Sequence, residues 1–201
     1  MNFADLDEAV IEKMAEETHS ALYEYLKREG YRLGDKNDDV AKPHTSFVED
    51  LKSVSEDNRN ENRKFARAVP NRLMAAGYVV AVLHSGETRG ELPPDVIESL
   101  AEMEHERWMW SKLLAGFQYA NRPDKNKRLH NCLLAWNRMT DAERRLRYGA
   151  WADVIGADEL PEKEKAKDRI LFRAIPQVLE KARLQIAAIP RRQTQAMGGA
   201  A

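Results

Sequence analysis

The sequence predicts a mainly α-helical fold with short β-strands, built as a tandem pair of similar helical units. Three observations predict it. Long stretches space their apolar residues for one face of a helix, one ordered set of residues occurs twice, and glycine and proline punctuate both copies at matching places.

The duplication is read directly. Ile11-Glu12-x-Met14-Ala15-Glu16-x-x-His19 matches Ile97-Glu98-x-Leu100-Ala101-Glu102-x-x-His105 at an offset of 86. The offset holds without a gap through Gly30/Gly116, Tyr31/Phe117, Asp38/Asp124 and His44/His130. A second block, Arg63-x-x-x-Arg67-Ala68-Val69-Pro70-x-x-Leu73, matches Arg169-x-x-x-Arg173-Ala174-Ile175-Pro176-x-x-Leu179 at an offset of 106. The second copy therefore carries 20 more residues, placed near 136–156. This divides the chain into a diverged first unit at 1–82, a linker at 83–92, a second unit at 93–190 and a disordered tail at 191–201.

Each unit opens with a helix, over roughly 5–29 and 94–115. Val10, Met14, Ala21 and Leu22 mark the apolar face of the first, and Ile97, Leu100, Ala101 and Trp108 that of the second. Pro93 and Pro94 suit a helix start, where the missing N–H has no partner to lose. Gly30 and Gly116 stand where a left-handed residue ends a helix. A charged loop follows in each unit, with short extended stretches expected at Tyr31–Leu33, Phe117–Tyr119 and Cys132–Trp136. The late helix of each unit is interrupted at Pro70 or Pro176, predicting a kink or a fresh start. Within the added segment, Thr140-Asp141-Ala142-Glu143 reads as a capping box opening an extra helix through Trp151, with Trp136 and Trp151 packing the segment down.

Composition narrows the function classes. With 43% hydrophobic and 32% charged residues the chain is globular, and no apolar run reaches the ~20 residues of a membrane helix. The N-terminus lacks a signal peptide's basic region and apolar core, and Cys132 stands alone, so a reducing cytoplasm is the expected location and no membrane insertion is expected. A net charge of −1 predicts no strong nucleic-acid binding. The charge is divided unevenly: residues 1–92 hold 13 Lys+Arg against 18 Asp+Glu, and residues 93–201 hold 19 against 15. An anion-binding surface is thus expected in the second half.

Four constellations bear on chemistry. His105, Trp108 and Lys112 fall at i, i+3 and i+7 and share a helix face, where a ring, an imidazole and a cation together can hold a nucleotide. The plainer reading keeps Trp108 in the core and His105 as a satisfied, half-buried histidine. Arg122, Lys125, Lys127 and Arg128 follow Tyr119 as a basic loop, either a phosphate clamp led by Arg122 or simply solvated. Glu16-x-x-His19 and Glu102-x-x-His105 form half of a di-iron carboxylate signature, but Glu61 and Lys167 at matching places break the other half. No metal or cofactor is therefore expected. Cys132, in an apolar Cys-Leu-Leu run, reads as buried and inert rather than nucleophilic, and Asp38/Asp124 as turn chemistry.

The second unit resembles the RyR domain, the repeat named from ryanodine receptor calcium channels. Leu100-Ala101-Glu102-x-x-His105-x-x-Trp108, Lys112, Gly116-Phe117-Gln118-Tyr119, Asp124 to Leu133 and Leu160-Pro161-Glu162-Lys163-Glu164 carry the resemblance over about 97–185. Phe117 stands for the family's usual Trp, Ala120 and Asn131 for its Gly and Pro, and the added segment splits the pattern. The first unit keeps His19, Gly30-Tyr31 and His44 but has Leu22 at the Trp place, resembling a diverged copy. The resemblance implies paired repeats about a pseudo-twofold axis, an adenine nucleotide held in the groove between them, and a nucleotide-sensing part in anti-phage defence. The expectation is a non-enzymatic sensor for a small anionic ligand, with His105, Trp108, Lys112, Tyr119, Arg122 and His19 as the binding residues and an effector protein as partner. A protein–protein adaptor with an empty groove is the second reading, and a di-iron enzyme the third.

Overall fold

The computed structural model describes residues 6–30, 51–53 and 56–190. The expected strand at Tyr31–Leu33, together with Asp38, His44 and the tail 191–201, lies outside the described residues. Four long helices make the frame: α1 (Glu8–Arg28), α2 (Glu56–Ala75), α3 (Pro94–Leu114) and α5 (Glu162–Lys181). The chemistry of their ends is local. Asp7 caps α1 by accepting from Val10 N–H at 2.8 Å, and Pro94 opens α3. Gly30 and Gly116 follow α1 and α3 with φ of +72° and +82°, as their places predict.

Both α2 and α5 run unbroken through Pro70 and Pro176, so neither proline starts a fresh helix. Packing explains the tolerance, because Val69, Leu73, Ile175 and Leu179 on either side are buried.

The four helices close a ring: α1 packs on α2 and α5, and α3 packs on the same two. Inside lies one apolar core that includes Met14, Val69, Leu73, Leu100, Phe172, Ile175 and Leu179, each at most 2% exposed. Phe65 and Phe172 meet across it edge to face, with centroids 5.3 Å apart. Two strands the sequence reading missed, β1 (Tyr78–Val82) and β6 (Leu184–Ala188), pair antiparallel beside the bundle. Val80 faces Ile186 at the centre of that ladder, and these residues are themselves 106 apart. Gly77 and Arg183, also 106 apart, both take positive φ just before the strands. Residues 83–92 are bound to the body rather than loose: Leu92 is buried, Arg89 reaches Glu180 at 2.8 Å, and Gly90 lies so close to the Ile186 carbonyl that a Cβ would collide with it.

A second, smaller core lies on the outer side of α3. Met109 and Leu113 meet Leu133, Tyr148, Ala152 and Ile155 there. The segment 136–156 supplies this layer. Its helix α4 (Asp141–Tyr148) has the full Thr140/Glu143 capping box, but it stops at Tyr148 rather than Trp151. Gly149 takes φ of +56° and a 3-10 turn follows over Gly149–Val154. Short strands β2 (Gln118–Tyr119) and β3 (Leu129–His130) pair in parallel, as do β4 (Leu134–Ala135) and β5 (Gly156–Glu159). Trp136 is buried and donates to Glu98 at 3.1 Å, whereas Trp151 stays 37% exposed against the edge of Trp110. Among the described residues no helix is long and apolar enough to cross a membrane.

Candidate functional site

The 86 and 106 offsets recur in the ion pairs that tie each early helix to its late helix. Arg63 donates to Glu12 at 2.7 and 2.9 Å and also meets Glu56. Arg169 does the same to Glu98 at 2.5 and 2.9 Å and meets Glu162. The contacts between the early helix of one half and the late helix of the other are unlike each other. Where α1 meets α5, Thr18 and Val178 are buried, and the Thr18 hydroxyl is spent on the Met14 carbonyl at 2.7 Å. At the matching places between α3 and α2 stand Glu104 and Arg72, buried and 2.5 Å apart. Arg107 extends this pair, holding Glu104 at 2.9 Å and Glu61 at 3.1 Å. One junction is apolar; the other is a charged seam.

The seam ends at a cluster of rings. Trp108 lies between His105, 5.7 Å away, and His130, whose ring meets it edge-on at 4.8 Å. One helical turn on, the Lys112 ammonium sits 5.9 Å from the Trp108 ring and 5.8 Å from that of Phe117. Tyr119 on β2 is paired with His130 on β3, and its hydroxyl donates to Asn121 at 2.6 Å. His105, Trp108, Lys112 and Tyr119 are thus brought together. Arg122 is exposed beyond Tyr119, with no ion pair among the described residues. His19 is buried on α1, which packs on α2 and α5 rather than α3, so it stands apart from this cluster.

His105, expected as the hydrogen-bonding histidine of the site, has both ring nitrogens engaged within the fold. Its Nε2 meets the Leu134 carbonyl at 2.9 Å and its Nδ1 lies 3.4 Å from Asp168. Both nitrogens are occupied, so the ring anchors β4 and α5 to α3 and backs Trp108. Burial pulls its pKa down, but Asp168 and the Leu134 carbonyl outweigh burial and hold it above the ordinary value. Asp168 is driven up by its own burial, against the pull of His105.

The electrostatics around Trp108 are cationic. Burial lowers the Lys112 pKa, and Lys125, Lys64 and Arg107 lower it further against the pull of Glu61. Among the described residues Lys112 has no carboxylate within ion-pair distance, because Glu61 is taken by Arg107 and by Lys64 at 2.9 Å. His130 is pushed down to about 4 by burial, then by Lys112, Lys167 and Lys125 against Glu164. Lys125 is therefore the member of the basic loop whose charge reaches the cluster. Lys127 pairs with Asp124 at 3.6 Å, and Arg128 folds over Gly116, which has no Cβ to obstruct it. Asp124 performs turn chemistry, accepting from the Asn126 and Lys127 N–H groups at 3.0 and 3.2 Å.

His130 and Lys125 were missed as site residues. His130 matched His44 and so read as scaffold, and Lys125 stood in the basic loop behind Arg122, which its place beside Tyr119 ranked first. The Cys132 thiol is pushed up to about 12 by burial and by Glu164, which accepts from it at 3.4 Å, so it is not a thiolate at neutral pH. Glu102 turns to Arg147 at 3.6 Å and His105 to Asp168, so the Glu-x-x-His pair does not converge. No group of three or more His, Cys, Asp or Glu among the described residues forms a metal-binding set.

Residues 91–157 match the family model of the RyR domain, a stretch that contains α3, the β2–β3 pair and all of 136–156. The added segment that seemed to split the pattern thus lies inside the matched stretch, and it is this stretch of the chain that is similar to the RyR domain family.

Proposed function

We propose that the protein is a non-enzymatic module that binds a small anionic ligand, of the adenine-nucleotide class, on α3 at the seam with α2. One observation carries the reading: Lys112 is largely buried and lies on two aromatic rings. It is crowded by Lys125, Lys64 and Arg107, and the carboxylate that most favours its charge among the described residues, Glu61, is committed elsewhere. A buried cation without a counter-ion is costly, and an incoming anion relieves that cost. A ligand phosphate would draw Lys112 and Lys125 toward itself. A base would then take the place of the ammonium against Trp108, where stacking contributes about 1–3 kcal/mol. Tyr119 borders the site, and Arg122, exposed beside it, would meet the ligand's outer phosphates.

The two-unit reading supports the same location. Matching helices, matching Arg–Glu pairs and a β-ladder centred on Val80 and Ile186 are what two copies packed about a pseudo-twofold axis would produce. On that reading α2 and α3 come from different repeats, so the site lies at their junction and on the second repeat's side. The matching place on the first repeat holds Leu22 and Leu26, which offer neither ring nor charge. The sensing role, a cytoplasmic setting and an effector protein that reads the bound state belong to this proposal too.

Thermal denaturation against a panel of adenine, guanine and pyrimidine nucleotides tests it. At least one adenine nucleotide is expected to raise the melting temperature of the wild type, and both Trp108→Ala and Lys112→Met to abolish the rise. A panel without effect, or a shift retained in full by Trp108→Ala, refutes the assignment.

A further inference from the structure

The hydrogen-bonding histidine of the site is, we propose, His130: its Nε2–H donates to an unprotonated acceptor atom of the anionic ligand and thereby selects which anions bind. This rests on the proposed binding site but assigns it a residue and a preference that neither the sequence nor the family match supplies.

The Cys132 N–H donates to His130 Nδ1 at 3.1 Å. A nitrogen that accepts a hydrogen bond carries no proton, so in the neutral ring the proton must sit on Nε2. The tautomer is thus fixed by a turn two residues long rather than by chance. The strand pairing fixes the ring's base: Tyr119 and His130 are partners in the β2–β3 ladder, and Ala120 N–H donates to the His130 carbonyl at 3.2 Å. The edge contact with Trp108 at 4.8 Å fixes the ring's side. Nε2 has no hydrogen-bond partner among the described residues, and it is not one of their sealed, unpaired polar atoms. It remains a donor open to a ligand.

Charge completes the case. The ring is held neutral, its pKa driven to about 4 by burial and by Lys112, Lys167 and Lys125. It therefore adds a directional donor without a further charge, while Lys112 and Lys125 supply the charge. A neutral donor with the opposite nitrogen blocked cannot accept a proton from the ligand. It favours bare phosphate oxygens, or an unprotonated ring nitrogen, over a hydroxyl that needs an acceptor. By contrast His105, the other imidazole beside this indole, has both nitrogens taken and cannot substitute.

Two variants separate the nitrogens. Asparagine can keep the acceptor near Nδ1 but has no donor at the Nε2 position; glutamine places an amide N–H near Nε2. Calorimetric titration with ATP should give His130→Gln within about threefold of wild type and His130→Asn weaker by about tenfold. Nitrogen-detected NMR of the free wild-type protein should show the imidazole proton on Nε2, and titration with ATP or inorganic pyrophosphate should move that resonance. If the proton is on Nδ1, or if His130→Asn binds ATP as tightly as wild type, the proposal is overturned. If pyrophosphate moves the resonance and ATP does not bind, the His130 assignment stands and the nucleotide reading fails. If neither ligand moves it, the assignment falls.

Discussion

His105 and His130 flank one indole, yet their surroundings drive their protons in opposite directions. Burial lowers both; at His105 the hydrogen-bonded Asp168 reverses it, whereas at His130 Glu164 opposes it without overcoming it. The consequences for stability have opposite signs. His130 has a folded pKa below its unfolded value, so between about 6.5 and about 4 the unfolded chain takes a proton that the folded chain refuses. Stability is therefore lost as pH falls through that window, by up to about 3 kcal/mol. His105 contributes stability that is present below about 6.5 and lost as pH rises through its raised folded value. Urea unfolding of wild type and His130→Asn at pH 7, 5.5 and 4 should show a flatter decline for the variant. Parallel declines would mean that His130 is not held neutral by the fold. None of this was legible in the sequence, where the two histidines differ only in position. The residue across from each ring, Asp168 or the Cys132 N–H, arrives from another element or through a turn.

At the scale of elements, the charged seam between α2 and α3 makes the sharpest demand. Arg72 and Glu104 are each under 10% exposed, and among the described residues Arg107 is the one other cation on Glu104. Removing one partner strands the other's charge, at a cost of about 3–5 kcal/mol, whereas replacing both with apolar residues of similar volume is often neutral. Arg72→Met should thus cost about 3–5 kcal/mol in chemical denaturation. Arg72→Met with Glu104→Leu should recover part of that, less than fully because Arg107 loses its partner. A double variant no better than the single one would show that the pair is not an isolated buried couple. The sequence made α1 and α3 readable through spacing and caps, and the Thr140 box through four consecutive residues. Strands β1 and β6 were missed because each pairs only with the other, across the length of the chain. Tyr78-Val-Val-Ala-Val82 is short, apolar and without alternation, so periodicity could not separate it from the end of the preceding helix. The seam was invisible for a related reason: Arg72 looks like any surface arginine until α3 is laid beside it.

For the molecule as a whole, the halves share more than they divide. The apolar core draws on all four long helices, β1 pairs with β6, and residues 83–92 are pressed onto β6 and α5. Halves that each kept a private core would unfold separately; here the main core is shared between them. All four tryptophans, Trp108, Trp110, Trp136 and Trp151, fall in the second half, while helix is divided between both halves. Tryptophan fluorescence therefore reports one half, and far-ultraviolet circular dichroism reports both. In urea the two signals should trace one coincident transition, as cooperative unfolding requires. Val80→Asp, at the centre of the ladder that joins the halves, should lower the midpoint of both signals together. A fluorescence transition that separates from the dichroism would instead mean that the halves fold independently. The α2–α3 seam would then be a contact between two bodies, free to open when an anion reaches Lys112.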